Sequence, residues 1–157
     1  MILTPAHGAL PSGHATEAFM QGLVLLRLMQ SSGNTAYAQP IWAIQLMQLA
    51  ARIAINRQVA GVHTPVESAA GATLGLALGQ YLVDRCDGSV TTYRAWLFDG
   101  NDYPAREDFD WSKFYDVEAA KQSGTDYVRE LADAAPQLGA PSAVLTWLWR
   151  KAAAEWA

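Results

Sequence analysis

Gly71, Gly75 and Gly79 fall four residues apart inside SAAGATLGLALGQYLV (68–83), a stretch with no charged residue. That spacing sets all three on one face of a helix. Each glycine in a helix interior costs about 1 kcal/mol relative to alanine, so three on one face call for a compensating gain. Close approach of a second backbone supplies one. In lipid the pattern marks helix dimers. Here it predicts an internal helix crossing, because a membrane span needs about 18 or more apolar residues and this stretch is shorter. The next candidate span, IWAIQLMQLAARIAINR, carries Arg52 and three amide side chains. Mean hydropathy of +0.02 agrees with a soluble chain without a membrane span. MILTPAHG lacks the basic start and apolar run of a signal peptide, so the expected location is cytoplasmic by default.

Two more helices precede the glycine-bearing one. In HATEAFMQGLVLLRLMQ (14–30), Phe19, Leu23, Leu26 and Met29 recur at helical spacing. SSGN (31–34) reads as a stop, with Gly33 and Asn34 suited to a left-handed cap. Pro40 opens a second helix over about 41–58, apolar on most sides and therefore expected to be central. Gly61 ends it. The third helix is expected from about 64 to 84. Beyond that the texture turns aromatic and acidic. CDGS (86–89) reads as a turn, DYVRELADAA (126–135) as a short amphipathic helix, and PSAVLTWLWRKAAAEW (141–156) as another, capped by Ser142. Few alternating strand patterns appear, so the expected class is all-α.

Charge follows the same division. Residues 1–83 hold three Arg against two Glu, and residues 84–157 hold eight Lys or Arg against thirteen Asp or Glu. The expected organisation is a helical core over 1–84 and an acidic, aromatic extension over 85–157 packing on it as one domain. A net charge of −4 gives no footprint for nucleic acid. Cys86, the one cysteine, cannot form an internal disulfide or a thiolate metal site alone.

Charged and polar groups interrupt the apolar core at NRQVAGVHTPVES (56–68). Arg57 lies near the end of the second helix and His63 just before the third. Thr64-Pro65-Val66-Glu67 is a capping box, with Thr at the N-cap, Pro at N1 and Glu at N3. Helix-start N–H groups carry partial positive charge, and with an arginine one short loop away they form a natural oxyanion cradle. Each residue also has a structural reading: Arg57 as a cation complementing a helix C-terminus, His63 as a half-buried loop histidine, Glu67 as a cap. A second helix start, LPSGHATEAF (10–19), offers Ser12 as a cap or anion donor, the Gly13 N–H, and His14 in the first turn. His7 upstream reads as a bland loop residue or a group at the mouth of the site.

Pro11-Ser12-Gly13-His14 followed by Arg57-x5-His63 resembles the superfamily shared by type 2 phosphatidic acid phosphatases, bacterial non-specific acid phosphatases and vanadium-dependent haloperoxidases. Its pattern is K-x6-RP, then PSGH, then SR-x5-H-x3-D. The likeness spans about residues 10–80 and implies a helical bundle like the C-terminal half of that core. It implies His63 as the nucleophile toward phosphorus or the vanadate ligand, and His14 as general acid and base. It implies Arg57, Ser12 and the Gly13 N–H as holders of the equatorial oxygens, and Glu67 as orienter of His63. Such chemistry rests on positioning and cationic donors around three equatorial oxygens.

Three positions depart from the pattern. Asn56 replaces Ser before Arg57, Glu67 replaces Asp, and the residues before Pro11 contain no Lys or Arg to serve as K-x6-RP. Losing one preorganised donor commonly costs about 10²–10³ in rate, so two missing cations predict a compromised site. The resemblance therefore implies a hydrolase or oxidoreductase. A vanadium-dependent haloperoxidase-like enzyme, using vanadate with peroxide and halide, comes first, on the PSGHAT segment and the low hydropathy. A cofactor-independent acid phosphatase acting on phosphomonoesters is the alternative. A truncated, non-catalytic anion-binding remnant is the third reading, with a second copy or partner subunit covering the missing layer.

Overall fold

The computed structural model describes residues 8–88, 90–131 and 136–157. Helix α1 spans Gly13–Ser31, α2 Pro40–Val59 and α3 Pro65–Asp87. Ser12 caps α1, its hydroxyl accepting the Ala15 N–H at 3.4 Å. Pro40 and Pro65 open α2 and α3, where a missing N–H costs nothing. Gly88, at φ +72°, closes α3 in the left-handed region.

The glycine stripe does what its spacing predicts. A Cβ placed on Gly71 would lie 2.7 Å from both the Ser12 carbonyl oxygen and the Ala15 Cβ. One on Gly75 would run into the Thr16 carbonyl oxygen, and one on Gly79 would lie 3.1 Å from that of Met20. Partners advance by four along both helices, so α1 and α3 run parallel with backbones in contact. α2 returns antiparallel on the other side of α1, where Gly22 faces the Leu46 carbonyl. Phe19, Leu23, Leu26, Met47 and Leu76 are fully buried between the three helices, each contributing about 1.5–3 kcal/mol of hydrophobic burial.

This arrangement corrects the expectation for the second helix. α1, not α2, is central, and α2 buries a narrow stripe of Ala43, Met47, Ala50, Ala51 and Ala54. Its larger residues Ile41, Leu49, Ile53, Ile55 and Val59 are exposed. Small side chains let α2 approach α1 closely, and that packing outweighs the pull of the bulkier residues.

The C-terminal half corrects the all-α expectation. Helices hold 56% of the described residues, but two small antiparallel sheets lie beyond α3. β1 (Trp96–Phe98) pairs with β4 (Val128–Glu130), setting Phe98 opposite Val128. β2 (Tyr115–Asp116) pairs with β3 (Lys121–Gln122). The helix expected over 126–135 is thus a strand through Val128–Glu130, while residues 132–135 fall outside the described residues. Strand pairing and aromatic burial override helical periodicity there: the Tyr127 ring lies tilted against Tyr103, and its hydroxyl donates to Glu107 at 2.8 Å. Burial, then the Glu107 carboxylate, push the Tyr127 phenol far above its ordinary pKa, which keeps it a donor. The CDGS turn is also shifted, since Cys86 and Asp87 still belong to α3 and Ser89 lies outside the described residues.

Phe109 meets Phe19 of α1 edge-on at 5.9 Å, and Phe114, Tyr115, Tyr127 and Val128 join the same apolar cluster as the three helices. α4 (Ala143–Ala154) is capped by Ser142 as expected. Tyr37 packs on Trp156 just beyond it, which places α4 near the C-terminal end of α1. The N-terminal ends of α1 and α3 lie together at the opposite end.

Candidate oxyanion site

The starts of α1 and α3 are joined by one backbone bond, from the Ser12 N–H to the Glu67 carbonyl at 2.9 Å. Ser12 is fully buried, and its carbonyl also accepts the Thr16 hydroxyl at 2.9 Å. Absence of a side chain at Gly71 makes this approach possible, because any Cβ there would collide with Ser12. The glycine stripe therefore builds the site as well as the core. It lets the PSGH segment sit against the first turn of α3.

Glu67 reaches both of the groups its position offered. One carboxylate oxygen accepts the Thr64 N–H at 2.8 Å and lies 3.1 Å from His63 Nδ1. The His63 side chain is 10% exposed and that of Glu67 18%. An acceptor at Nδ1 favours the tautomer with its proton on that nitrogen, so the lone pair of neutral His63 sits on Nε2. The extra methylene of Glu relative to Asp has not broken the pairing.

Arg57 stands in the last turn of α2. The helix ends there in a Schellman motif. Val62 N–H bonds the Arg57 carbonyl at 3.1 Å, Gly61 N–H bonds that of Gln58 at 2.8 Å, and Gly61 takes φ +70°. This turn fixes the path from Arg57 to His63. Arg57 Nε is buried with no hydrogen-bond partner. A solvated helix-end cation has no such orphan, and buried donors are seldom left unpaired.

The remaining site residues are placed at the same end without being bonded into it. Gly13 and His14 begin α1 and are exposed, and no atom lies within 4 Å of a Cβ on Gly13. Among the described residues no side-chain hydrogen bond joins His14 to His63, Arg57 or Glu67. His7 lies outside the described residues. From the C-terminal half, Gly100 approaches the start of α3, where a Cβ on it would lie 3.8 Å from Val66. Sequence reasoning passed over Gln58 and Ser68. Gln58 Nε2 donates to Ser68 Oγ at 2.9 Å, and Ser68 is fully buried. The only signal was a pair of polar residues beside apolar helix faces.

A cleft of about 590 Å³ lies elsewhere, between α1, α3 and the β1–β4 pair. Most of its charged groups are already engaged. Arg94 pairs with Glu130, Arg27 donates to the Ala120 carbonyl, and Asp84 accepts from Gln80. No cluster of three or more His, Cys, Asp or Glu suited to a metal ion occurs among the described residues, and no helix there is long and apolar enough to cross a membrane.

Searches of curated proteins and of solved structures return no match. A family model described as PAP2 superfamily matches residues 3–85, more than half of the chain, including both helix starts and the whole Arg57–Glu67 segment. With that match over the residues that bring Ser12, His63 and Glu67 together, the chain belongs to the PAP2 superfamily.

Proposed function

We infer that this protein binds a phosphate-like oxyanion at the paired starts of α1 and α3 and acts, with vanadate held there, as a haloperoxidase-like enzyme. The observation that carries the reading is the Glu67 hub. Its carbonyl holds the PSGH segment and its carboxylate orients His63. His63 Nε2 would be the vanadate ligand. Arg57, Ser12 and the Gly13 N–H would hold the equatorial oxygens. The donor set fits an oxyanion: an orphaned buried guanidinium nitrogen, a histidine with its far nitrogen paired, and two helix N-termini. Vanadate held there would supply the electrophilic centre for oxidation of halide by peroxide to a hypohalous species. The chain's part is to orient His63, neutralise charge through Arg57, and hold a proton at His14.

The same His63–Glu67 pair supports phosphomonoester hydrolysis as the second reading. His63 Nε2 attacks phosphorus, the ester P–O bond breaks, and His14 protonates the departing alkoxide. Water deprotonated by His14 then cleaves the phosphohistidine and regenerates His63. The ten residues before Pro11 carry no Lys or Arg, and a second copy or a partner subunit is a further source of cations for the oxyanion.

Parallel assays test the two chemistries. Peroxide-dependent bromination in the presence of vanadate supports the first, and vanadate-inhibited hydrolysis of an aryl phosphate supports the second. His14→Ala should lower whichever is present by about 10²–10⁴-fold. Neither activity in the wild type, with phosphate and vanadate still bound, would leave the non-catalytic reading.

A further inference from the structure

The oxyanion reading names the groups that would touch the ligand, but not what holds Arg57 in register with His63. The two lie on different elements, and α2 packs mainly on α1, with little contact to α3. The five residues between them finish α2 and turn at Gly61, and their backbone bonds fix that path without tying α2 to the body of α3.

Gln58 supplies that tie. It directly follows Arg57 in the last turn of α2, and its side-chain amide donates to Ser68 Oγ at 2.9 Å. Ser68 directly follows Glu67 in the first turn of α3 and is fully buried. Glu67 receives the Ser12 N–H on its carbonyl and holds His63 with its carboxylate. Two consecutive residues, Glu67 and Ser68, thus tie down all three elements of the site. Glu67 fixes the PSGH segment and the histidine, and Ser68 fixes the end of α2. The orphaned Nε of Arg57 adds the second observation. A buried donor without a protein partner stays aimed only if its backbone cannot drift toward a competing acceptor or toward water.

We propose that Gln58, through Ser68, is a positioning residue for Arg57, setting the guanidinium against the oxyanion that His63 faces. The inference rests on the oxyanion reading above. Gln58 touches no ligand in it. It acts through the geometry of Arg57.

The test is a double-mutant cycle read on anion affinity, using orthovanadate and inorganic phosphate as probes. Gln58→Met keeps length and volume while removing the donor, and Ser68→Ala removes the acceptor. Each should weaken binding about five-fold, the effect of losing one neutral hydrogen bond. The double variant should be no weaker than either single one, since both remove the same bond. The ¹⁵N-labelled Arg57 Nε–H resonance should shift on vanadate addition in the wild type and shift less in Gln58→Met. Thermal unfolding of each variant confirms that it is folded at the assay temperature. A folded Gln58→Met or Ser68→Ala that binds vanadate with wild-type affinity overturns the positioning role and leaves the oxyanion site standing. So does an additive cycle. A wild type that binds neither probe overturns the site itself and this inference with it.

Discussion

Gly75→Ala and Gly22→Ala should change stability in opposite directions, although both replace a helix-interior glycine in the same core. Removing either glycine gains about 1 kcal/mol of helix propensity. At Gly22 nothing opposes that gain, because the new methyl would lie 3.6 Å from the Leu46 carbonyl and 3.8 Å from Met47 Cε, ordinary van der Waals contacts. At Gly75 the methyl would meet the Thr16 carbonyl oxygen, Phe19 Cβ at 3.0 Å and Met20 N at 3.1 Å. These are backbone or β-carbon atoms that no rotamer change can move, so α3 must shift away from α1. Overpacking of this kind costs about 1–3 kcal/mol and occasionally more. The net expectation is a loss of up to about 2 kcal/mol for Gly75→Ala and a gain of up to about 1 kcal/mol for Gly22→Ala. At this size 1 kcal/mol shifts Tm by about 2–4 °C. Urea and thermal unfolding followed by circular dichroism measure both. Equal gains in the two variants would refute the close α1–α3 crossing. Gly71→Ala adds a functional readout, since its methyl would press on Ser12, and anion binding should weaken along with stability.

Glu67→Gln should keep the cap on Thr64, because an amide oxygen can still accept that N–H. It should lower anion affinity or turnover by weakening the hold on His63. Glu67→Ala should lose both, with about 1 kcal/mol of stability. Equal anion binding in wild type and Glu67→Gln would reduce Glu67 to a cap. Gly61→Ala places a side chain at φ +70° with open space around it, so about 1–2 kcal/mol of backbone strain is expected, measured by thermal unfolding. The hydrogen bonds of Lys113 and then Tyr127 hold the Glu107 carboxyl below its ordinary pKa of 4.5. That contribution is fully present above pH 4.5 and fades as pH falls through the depressed folded value. Glu107→Gln should therefore flatten the acid limb of a fluorescence-monitored stability profile, and an unchanged limb would remove Glu107 from the account.

What the sequence disclosed follows from the range of the interactions. The glycine spacing, the caps at Ser12 and Ser142, Pro40, Pro65 and the turn at Gly61 are signals read within one or two helical turns, and they place three helices correctly. The capping box left Glu67 between two roles, and in the fold one carboxylate oxygen lies against both the Thr64 N–H and His63 Nδ1. Other contacts join residues far apart in sequence, and no local pattern encodes them. Ser12 to Glu67 is one, Gln58 to Ser68 another, and the pairing of Trp96 with Glu130 a third. The misjudged segments share this cause. Tyr127 and Val128 show helical spacing to Leu131, but their burial against Phe98, Tyr103 and Phe114 decides for a strand. On α2, apolar residues around most of the helix suggested a central position, whereas close packing against α1 buries only a narrow, mostly alanine stripe.

Orthovanadate titration of the wild type and of His63→Ala, followed by ⁵¹V nuclear magnetic resonance, tests the central claim most directly. The account predicts a bound vanadium signal in the wild type that phosphate displaces, and its loss in a His63→Ala variant whose unfolding temperature is unchanged. The same vanadate affinity in both proteins would contradict it.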